Sequence, residues 1–204
     1  MSIREASNAR RRMAIVDAAH AIISQKGLQA LNIRDIGKAC GCAPGTIYTH
    51  FEDLDTLILY VNSRTLNQLA QVLETVDEAG QGGAVPDRLC NMADAYLGFA
   101  VANRSAWQAL FEHQMERPIP QWHRDDHFRL FGSIARLLLL HKPGLDAAQA
   151  QLVARGLYSS VHGIVSLGIA PRLLRLSDQE IRQQMHLVIH GILSRLAVED
   201  QKEQ

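Results

Sequence analysis

The sequence predicts an all-α fold in two parts, a small N-terminal head of three helices and a larger helical body. Apolar residues recur at steps of three and four along nearly the whole chain, and no sustained period-two alternation interrupts them. Asn, Gly and Pro punctuate that pattern at helical spacings. Charge is divided unevenly. The 204 residues sum to zero, yet residues 1–50 carry seven Lys/Arg against three acids, and the remainder carries 14 against 18. A basic head on an acidic body suits a polyanion at one end.

Composition excludes several classes. With 47% hydrophobic and 21% charged residues, disorder over most of the chain is ruled out. The longest aliphatic run, Leu137 to Leu140, falls far short of the ~20 residues that span a bilayer. No apolar core follows the charges of the N-terminus, so a secretory signal is not expected. Cys40, Cys42 and Cys90 are odd in number and lack C-x-x-C spacing. That argues against a disulfide framework or a zinc knuckle and fits a reducing cytoplasm.

The elements follow in order. The first helix is expected from about Arg10 to Lys26, with Ile15, Ala18, Ala19, Ile22 and Ile23 on its buried stripe and Gly27 as C-terminal cap. Asn32 with Asp35 three residues later approximates a capping box, which starts a second helix at Ile33. Gly41 breaks it within about two turns. Pro44 suits the first position of a third helix, running to about Phe51. A long fourth helix is expected over 53–76. The stretch 77–86 is the most loop-like in the chain. Five further helices are expected near 86–102, 105–116, 120–141, 146–169 and 178–199, with Pro118, Pro120, Pro143, Gly144 and Pro171 between them.

Residues 32–51 carry the functional signal. Ile33, Ile36, Ala39, Cys42, Ile47 and Phe51 can form a shared apolar interior, leaving Arg34, Lys38, Thr46, Tyr48, Thr49 and His50 outside. Two short helices meeting at a glycine, the second with hydroxylated and planar residues exposed, have the pattern of a helix-turn-helix. Such residues can donate to phosphates and base edges in a major groove. Arg10, Arg11 and Arg12 are expected just ahead of the first helix, placed to meet a phosphate backbone.

The run from Asp35 to Phe51, above all Gly45-Thr46-Ile47-Tyr48-x-x-Phe51, resembles the TetR family of bacterial transcriptional regulators. The resemblance covers residues 10–60 in detail, and the remaining helical length also fits. It implies a helix-turn-helix DNA-binding domain over 1–53 and a helical effector-binding and dimerisation domain over 54–204. It further implies that Thr46 and Tyr48 hold phosphates, that Pro44, Gly45, Thr49 and His50 lie near base edges, and that Arg34 stands at the start of the second helix. Tyr158 to Leu167, with His162-Gly163, is similar to a subgroup bearing a Trp-His-Gly signature, with Val161 in place of the Trp. Ala43 stands where the family has a capping Ser or Thr. Leu54 stands where it has a phosphate-touching Lys, which weakens the expected backbone affinity and its salt dependence.

In the body, Leu89, Met92, Tyr96 and Phe99 share one stripe, followed by Trp107, Leu110, Phe111 and Met115, then Trp122, Phe128, Phe131 and Ile134. Aromatics and Met at helical spacing ordinarily fill a core. Their concentration between residues 96 and 131, near His113, Gln114 and His162, also suits a pocket for a mostly apolar effector. The expected lining is Met92, Tyr96, Phe99, Trp107, Phe111, Met115, Phe128 and His162. Gly156, Ser160 and Gly163 allow close approach of another helix. The last helix is apolar along two stripes, Ile181, Met185, Val188, Ile192 and His186, Ile189, Leu193, Leu196, which calls for two partners. A homodimer through the last two helices is therefore expected, as the resemblance also implies.

No cofactor, metal or catalytic activity is expected. His123 and His127, like His186 and His190, are i, i+4 pairs without a further ligand. Asp17-x-x-His20 is a lone pair, and Ile164-Val-Ser166-Leu-Gly168 lacks the first glycine of a nucleophile elbow and any preceding strand. The expected function is a cytoplasmic repressor released from a palindromic operator by a small effector. An all-helical carrier or enzyme, or a DNA-binding regulator without effector, remains the alternative.

Overall fold

A computed structural model describes residues 2–170 and 176–198. Pro171 and the expected helix end at residue 199 lie outside the described residues. Those described form nine α-helices and one 3₁₀ turn, with no strand. The helices are α1 (Ile3–Lys26), α2 (Ile33–Cys40), α3 (Pro44–His50), α4 (Leu54–Ala79), α5 (Val85–Ala102), α6 (Arg104–Glu112), α7 (Gln121–His141), α8 (Ala147–Gly168) and α9 (Asp178–Val198).

Three helix ends differ from those expected, the first for a local cause. Helix α1 begins at Ile3, well before Arg10, because Ser2 and Glu5 make a complete capping box: the Ser2 hydroxyl accepts from the Glu5 N–H, and the Glu5 carboxylate accepts from the Ser2 N–H. The three arginines therefore lie on the helix instead of ahead of it. Helix α4 continues through Asp77 to Ala79, into the stretch that reads as loop. Helix α6 stops at Glu112, with His113 already extended, instead of reaching residue 116.

Contacts gather the chain into two compact units. The first holds the described residues of Met1–Gln68 with Asn103–Asp126; the second holds Leu69–Ala102 and the described residues of His127–Gln204. This division falls inside α4 and gives α6 to the first unit. The boundary expected after residue 53 does not coincide with this division by contact.

The first unit is built on Ile15, Ala19 and Ile23 of α1, Ile36 of α2, Ile47 of α3, Phe51, Leu57 of α4 and Ala109 of α6, all essentially inaccessible. Burying each large member is worth about 1.5–3 kcal/mol. Of the expected interior, Ile33 and Cys42 are half-buried and Ala39 is exposed; Cys40 packs against the core in its place.

In the second unit α5, α8 and α9 pack against one another. Leu97, Leu137, Leu138, Ala154, Val165 and Met185 fill the interior. Buried Asp77 closes this unit at the end of α4. Its Oδ1 accepts from Arg88 Nε (2.9 Å) and Nη2 (2.5 Å), and its Oδ2 accepts from Arg136 Nη2 (2.7 Å). Both expected stripes of α9 turn inward: Ile181, Met185, Ile189, Leu193 and Leu196 are buried in their own chain, with His186, Val188 and Ile192 half-buried. The physical reason is that α9 lies between α5 and α8, so each stripe already has an intramolecular partner.

Candidate nucleic-acid interface

The geometry of residues 32–51 follows from a few local choices. Asn32 caps α2 by accepting from the Asp35 N–H (2.9 Å) and donates to the Asp35 carboxylate (2.8 Å). Gly41 takes the left-handed conformation (φ 67°) that ends the helix. The Cys42 N–H then donates to the Gly37 carbonyl at 2.9 Å, drawing the turn flat against α2. A side-chain carbon on Gly37 would stand 2.7 Å from the Cys42 carbonyl oxygen, so only glycine fits. Pro44 opens α3, where its missing N–H costs nothing. Ala43 gives no side-chain cap, and the Thr46 N–H donates to its carbonyl instead.

Ile47 and Phe51 seat α3, and the opposite face stands free. Pro44, Gly45, Tyr48 and Thr49 are exposed, Tyr48 by 54%, while Thr46 and His50 are half-buried. The Thr49 hydroxyl donates to the Thr46 carbonyl (2.7 Å), which leaves its oxygen as an acceptor. Arg34 and Lys38 are exposed on α2, and Arg10 and Arg11 on α1. Arg12 has another task. Its guanidinium sits 5.0 Å from the centre of the Phe51 ring and 4.3 Å from that of Tyr60, a double cation–π contact that locks the end of α3 to α1 and α4.

The turn out of α3 is acidic and is neutralised from within. The Asp53 carboxylate accepts from the Thr56 N–H (2.7 Å), capping α4. Arg117 donates to Asp53 (2.9 Å), to Thr56 Oγ1 (2.6 Å) and to Glu52 (3.2 Å). The Thr56 hydrogen bonds, ahead of the Arg117 charge, hold the Asp53 carboxyl below its ordinary range. Leu54 packs half-buried on the core. This corner is thus an internal ion-pair cluster, and Arg117, Arg12 and the Asp53 cap are functional neighbours that spacing alone did not reveal. Beside it, His113 is buried to within 8% and lies 3.6 Å from Asp55; desolvation keeps it below its ordinary range despite Asp55 and Asp53.

The expected effector residues divide between the two units. Met92 and Tyr96 line a cavity of about 40 Å³ in the second unit, with Leu73, Leu89, Ala93, Ile134, Leu157, Tyr158, Val161 and Ile189. At ~10–15 Å³ per water, that space exceeds a single solvent molecule. Its polar handle is the hydrogen bond between the Tyr96 hydroxyl and His162 Nδ1 (2.9 Å), with the Tyr158 ring stacked parallel to the imidazole. Burial lowers the His162 pKa and raises that of Tyr158. Phe99 is buried in the same unit but does not line the cavity, and Phe128 is 50% exposed. Trp107, Phe111 and Met115 belong to the first unit, where Trp107 meets Phe111 edge to face, centres 5.5 Å apart. Helical period identifies an apolar face without saying which core receives it.

The histidine pairs also find separate partners. His123 shares a hydrogen bond with Ser63 (2.8 Å), and His186 with Asp94 (3.0 Å), while His190 lies 3.7 Å from the Cys90 sulfur. Among the described residues no three His, Cys, Asp or Glu side chains gather as a metal site, and no helix is long and apolar enough to cross a membrane.

A family model described as "Bacterial regulatory proteins, tetR family" matches residues 15–61, and one described as "Tetracyclin repressor-like, C-terminal domain" matches residues 89–192. An uncharacterized HTH-type transcriptional regulator of Mycobacterium tuberculosis is 26% identical over 157 residues, 76% of this chain and 69% of that protein. HTH-type transcriptional regulator BetI of Vibrio parahaemolyticus is 28% identical over 158 residues, 76% of this chain and 78% of its own. Among solved structures, a protein of unknown function from Rhodococcus sp. RHA1 is similar with a TM-score of 0.74 at 17% identity, over 92% of this chain and 95% of the other. A TetR-like transcriptional regulator from the same source is similar with a TM-score of 0.62 at 17% identity, over 90% and 96%.

Proposed function

Because this chain belongs to the TetR family of bacterial transcriptional regulators, we propose that it is a cytoplasmic homodimeric repressor that leaves a palindromic operator when a small apolar effector binds. The face of α3 carries this proposal: Pro44, Gly45, Tyr48 and Thr49 are exposed on a helix whose other side is fixed by Ile47 and Phe51. Tyr48 and Thr46 take phosphates, and Pro44, Gly45, Thr49 and His50 meet base edges, with Arg34, Arg10 and Arg11 on the flanking backbone. Two copies of α3 about one turn of duplex apart, ~34 Å, read adjacent major grooves.

The test is a titration of labelled duplexes from the DNA upstream of its own gene, at several salt concentrations. Sequence-selective, salt-dependent binding is expected, and its absence at low ionic strength sinks the proposal. Tyr48→Phe is expected to weaken binding to all sequences about equally, whereas Thr49→Ala and His50→Ala relax preference at particular base pairs, by roughly 1–3 kcal/mol of discrimination each. Equal losses for all three variants across sequences contradict the division of labour.

Helices α8 and α9 supply the twofold interface. On α8, Leu152, Gly156, Ser160, Gly163 and Leu167 follow one another at steps of three and four; Leu152 is 69% and Leu167 61% exposed. On α9, Leu187 is 74% exposed. These outer residues, not the two inward stripes, are the surface left for a second copy. Light scattering is expected to give about twice the chain mass of 22.6 kDa; a monomer at micromolar concentration contradicts it.

The cavity around Met92 and Tyr96 is the effector site. A drug-sized ligand needs ~300 Å³ or more, so binding requires its walls to part. Met92 and Tyr96 receive the ligand, with His162 as the hydrogen-bonding partner of Tyr96. Thermal stabilisation by apolar, planar compounds tests this, since a regulator without effector gains nothing from them.

A further inference from the structure

Cys40 closes α2 and Cys42 follows Gly41, and their half-buried sulfurs lie 3.1 Å apart. The third cysteine is unlike them: Cys90 is buried, and burial, with Asp94 and Asp87 nearby, pushes its thiol up to about 11. We propose that Cys40 and Cys42 form a reversible dithiol–disulfide switch inside the helix-turn-helix, closed by a peroxide-class oxidant and reopened by a dithiol reductant.

The chemistry balances. A thiolate of the pair attacks one peroxide oxygen, the O–O bond breaks, and a sulfenic acid forms as water or an alcohol leaves. The second sulfur attacks the sulfenic sulfur, the S–O bond breaks, and a second water leaves with the thiol proton. Two thiols and one peroxide thus give one disulfide, one water and one water or alcohol. Burial, then Cys40 itself, holds the Cys42 thiol above its ordinary range, opposed by the positive charge of Arg11. Cys42 is thus a slow nucleophile at neutral pH, and what favours closure is the 3.1 Å approach of the two sulfurs, which brings the second to hand once either is oxidised. In a reducing compartment such disulfides are transient and serve as sensors, and a ring as tight as C-x-C is readily reduced.

Closure has a mechanical effect. An S–S bond is ~2.05 Å long, so the sulfurs must approach by about 1 Å. The turn is tied to α2 by the hydrogen bond from the Cys42 N–H to the Gly37 carbonyl (2.9 Å). Movement passes instead to Ala43, which anchors the start of α3 with no side-chain cap. The recognition face is re-aimed, and operator affinity falls roughly tenfold to a hundredfold, the equivalent of one or two base contacts.

That last consequence rests on the operator proposal; the thiol chemistry does not. The test treats the full chain with hydrogen peroxide, blocks the remaining thiols and maps the peptides. A Cys40–Cys42 link two hydrogens lighter than the reduced protein is expected, reversed by dithiothreitol and missing from Cys42→Ser. In parallel, oxidised protein is expected to bind a palindromic upstream duplex at least about tenfold more weakly, while Cys40→Ser and Cys42→Ser bind it equally with and without peroxide. Inert thiols, sulfinic acid on one cysteine, or links between chains overturn the site. A clean intrachain link with unchanged affinity overturns the switch. If neither redox form binds any duplex, the operator proposal and the regulatory consequence fall together, and the mass readout alone decides the disulfide.

Discussion

Asp77→Ala is expected to unfold at a markedly lower urea concentration, with a loss of about 3–5 kcal/mol, the usual cost of removing one partner from a buried ion pair. The Asp77 side chain is 1% exposed and the Arg88 side chain 9%, so the variant strands a guanidinium that water cannot reach. Arg136, 56% exposed, can turn to solvent and suffers little. Arg136→Ala is therefore expected to cost under about 1 kcal/mol. Replacing Asp77 and Arg88 together by apolar residues of similar size should recover most of the loss, because the charge is then no longer stranded. Urea midpoints at constant slope measure all three variants. An Asp77→Ala midpoint within error of the parent removes the cluster from any structural account.

Gly37→Ala is expected to abolish sequence-selective DNA binding while leaving the Leu69–Ala102 portion folded. The new methyl carbon would stand 2.7 Å from the Cys42 carbonyl oxygen, a backbone atom that cannot rotate away. The turn must open, the 2.9 Å hydrogen bond from Cys42 to Gly37 breaks, and α3 loses its bearing against α2. Specific affinity should fall toward the nonspecific level, roughly a thousandfold or more. Anisotropy titration of the upstream duplex, with circular dichroism to show retained helix, reads both quantities. Undiminished selective binding would mean that the close approach at Gly37 does not set the angle of α3.

Much of this was legible in the residues. Asn32, Gly41 and Pro44 each dictate one local conformation, so α2, the turn and α3 could be placed nearly to the residue. Ile36, Ile47 and Phe51 were correctly assigned inside because two short helices leave few ways to bury three large side chains. The start of α1 was legible too: Ser2-x-x-Glu5 is a capping-box pattern, but a charged, weakly amphipathic first stretch hid it. Other features were not legible, for physical reasons. The end of α4 depends on Asp77 meeting Arg88 and Arg136, partners distant in sequence. The inward turn of both α9 stripes depends on α5 arriving on one side and α8 on the other. The division of the aromatics, Tyr96 to one core and Trp107 to another, follows from which neighbours each helix meets. Cys40 and Cys42 were read by spacing alone, which cannot show that two sulfurs converge across a left-handed glycine.

Helix α4 runs unbroken for 26 residues, from Leu54 on the first core to Leu73 on the cavity wall and on to Asp77. At ~1.5 Å rise per residue it is about 39 Å long. None of its residues is proline or glycine, so nothing in its sequence marks a break, and limited proteolysis is expected to cut the Gly80–Gly83 turn before it cuts within the helix.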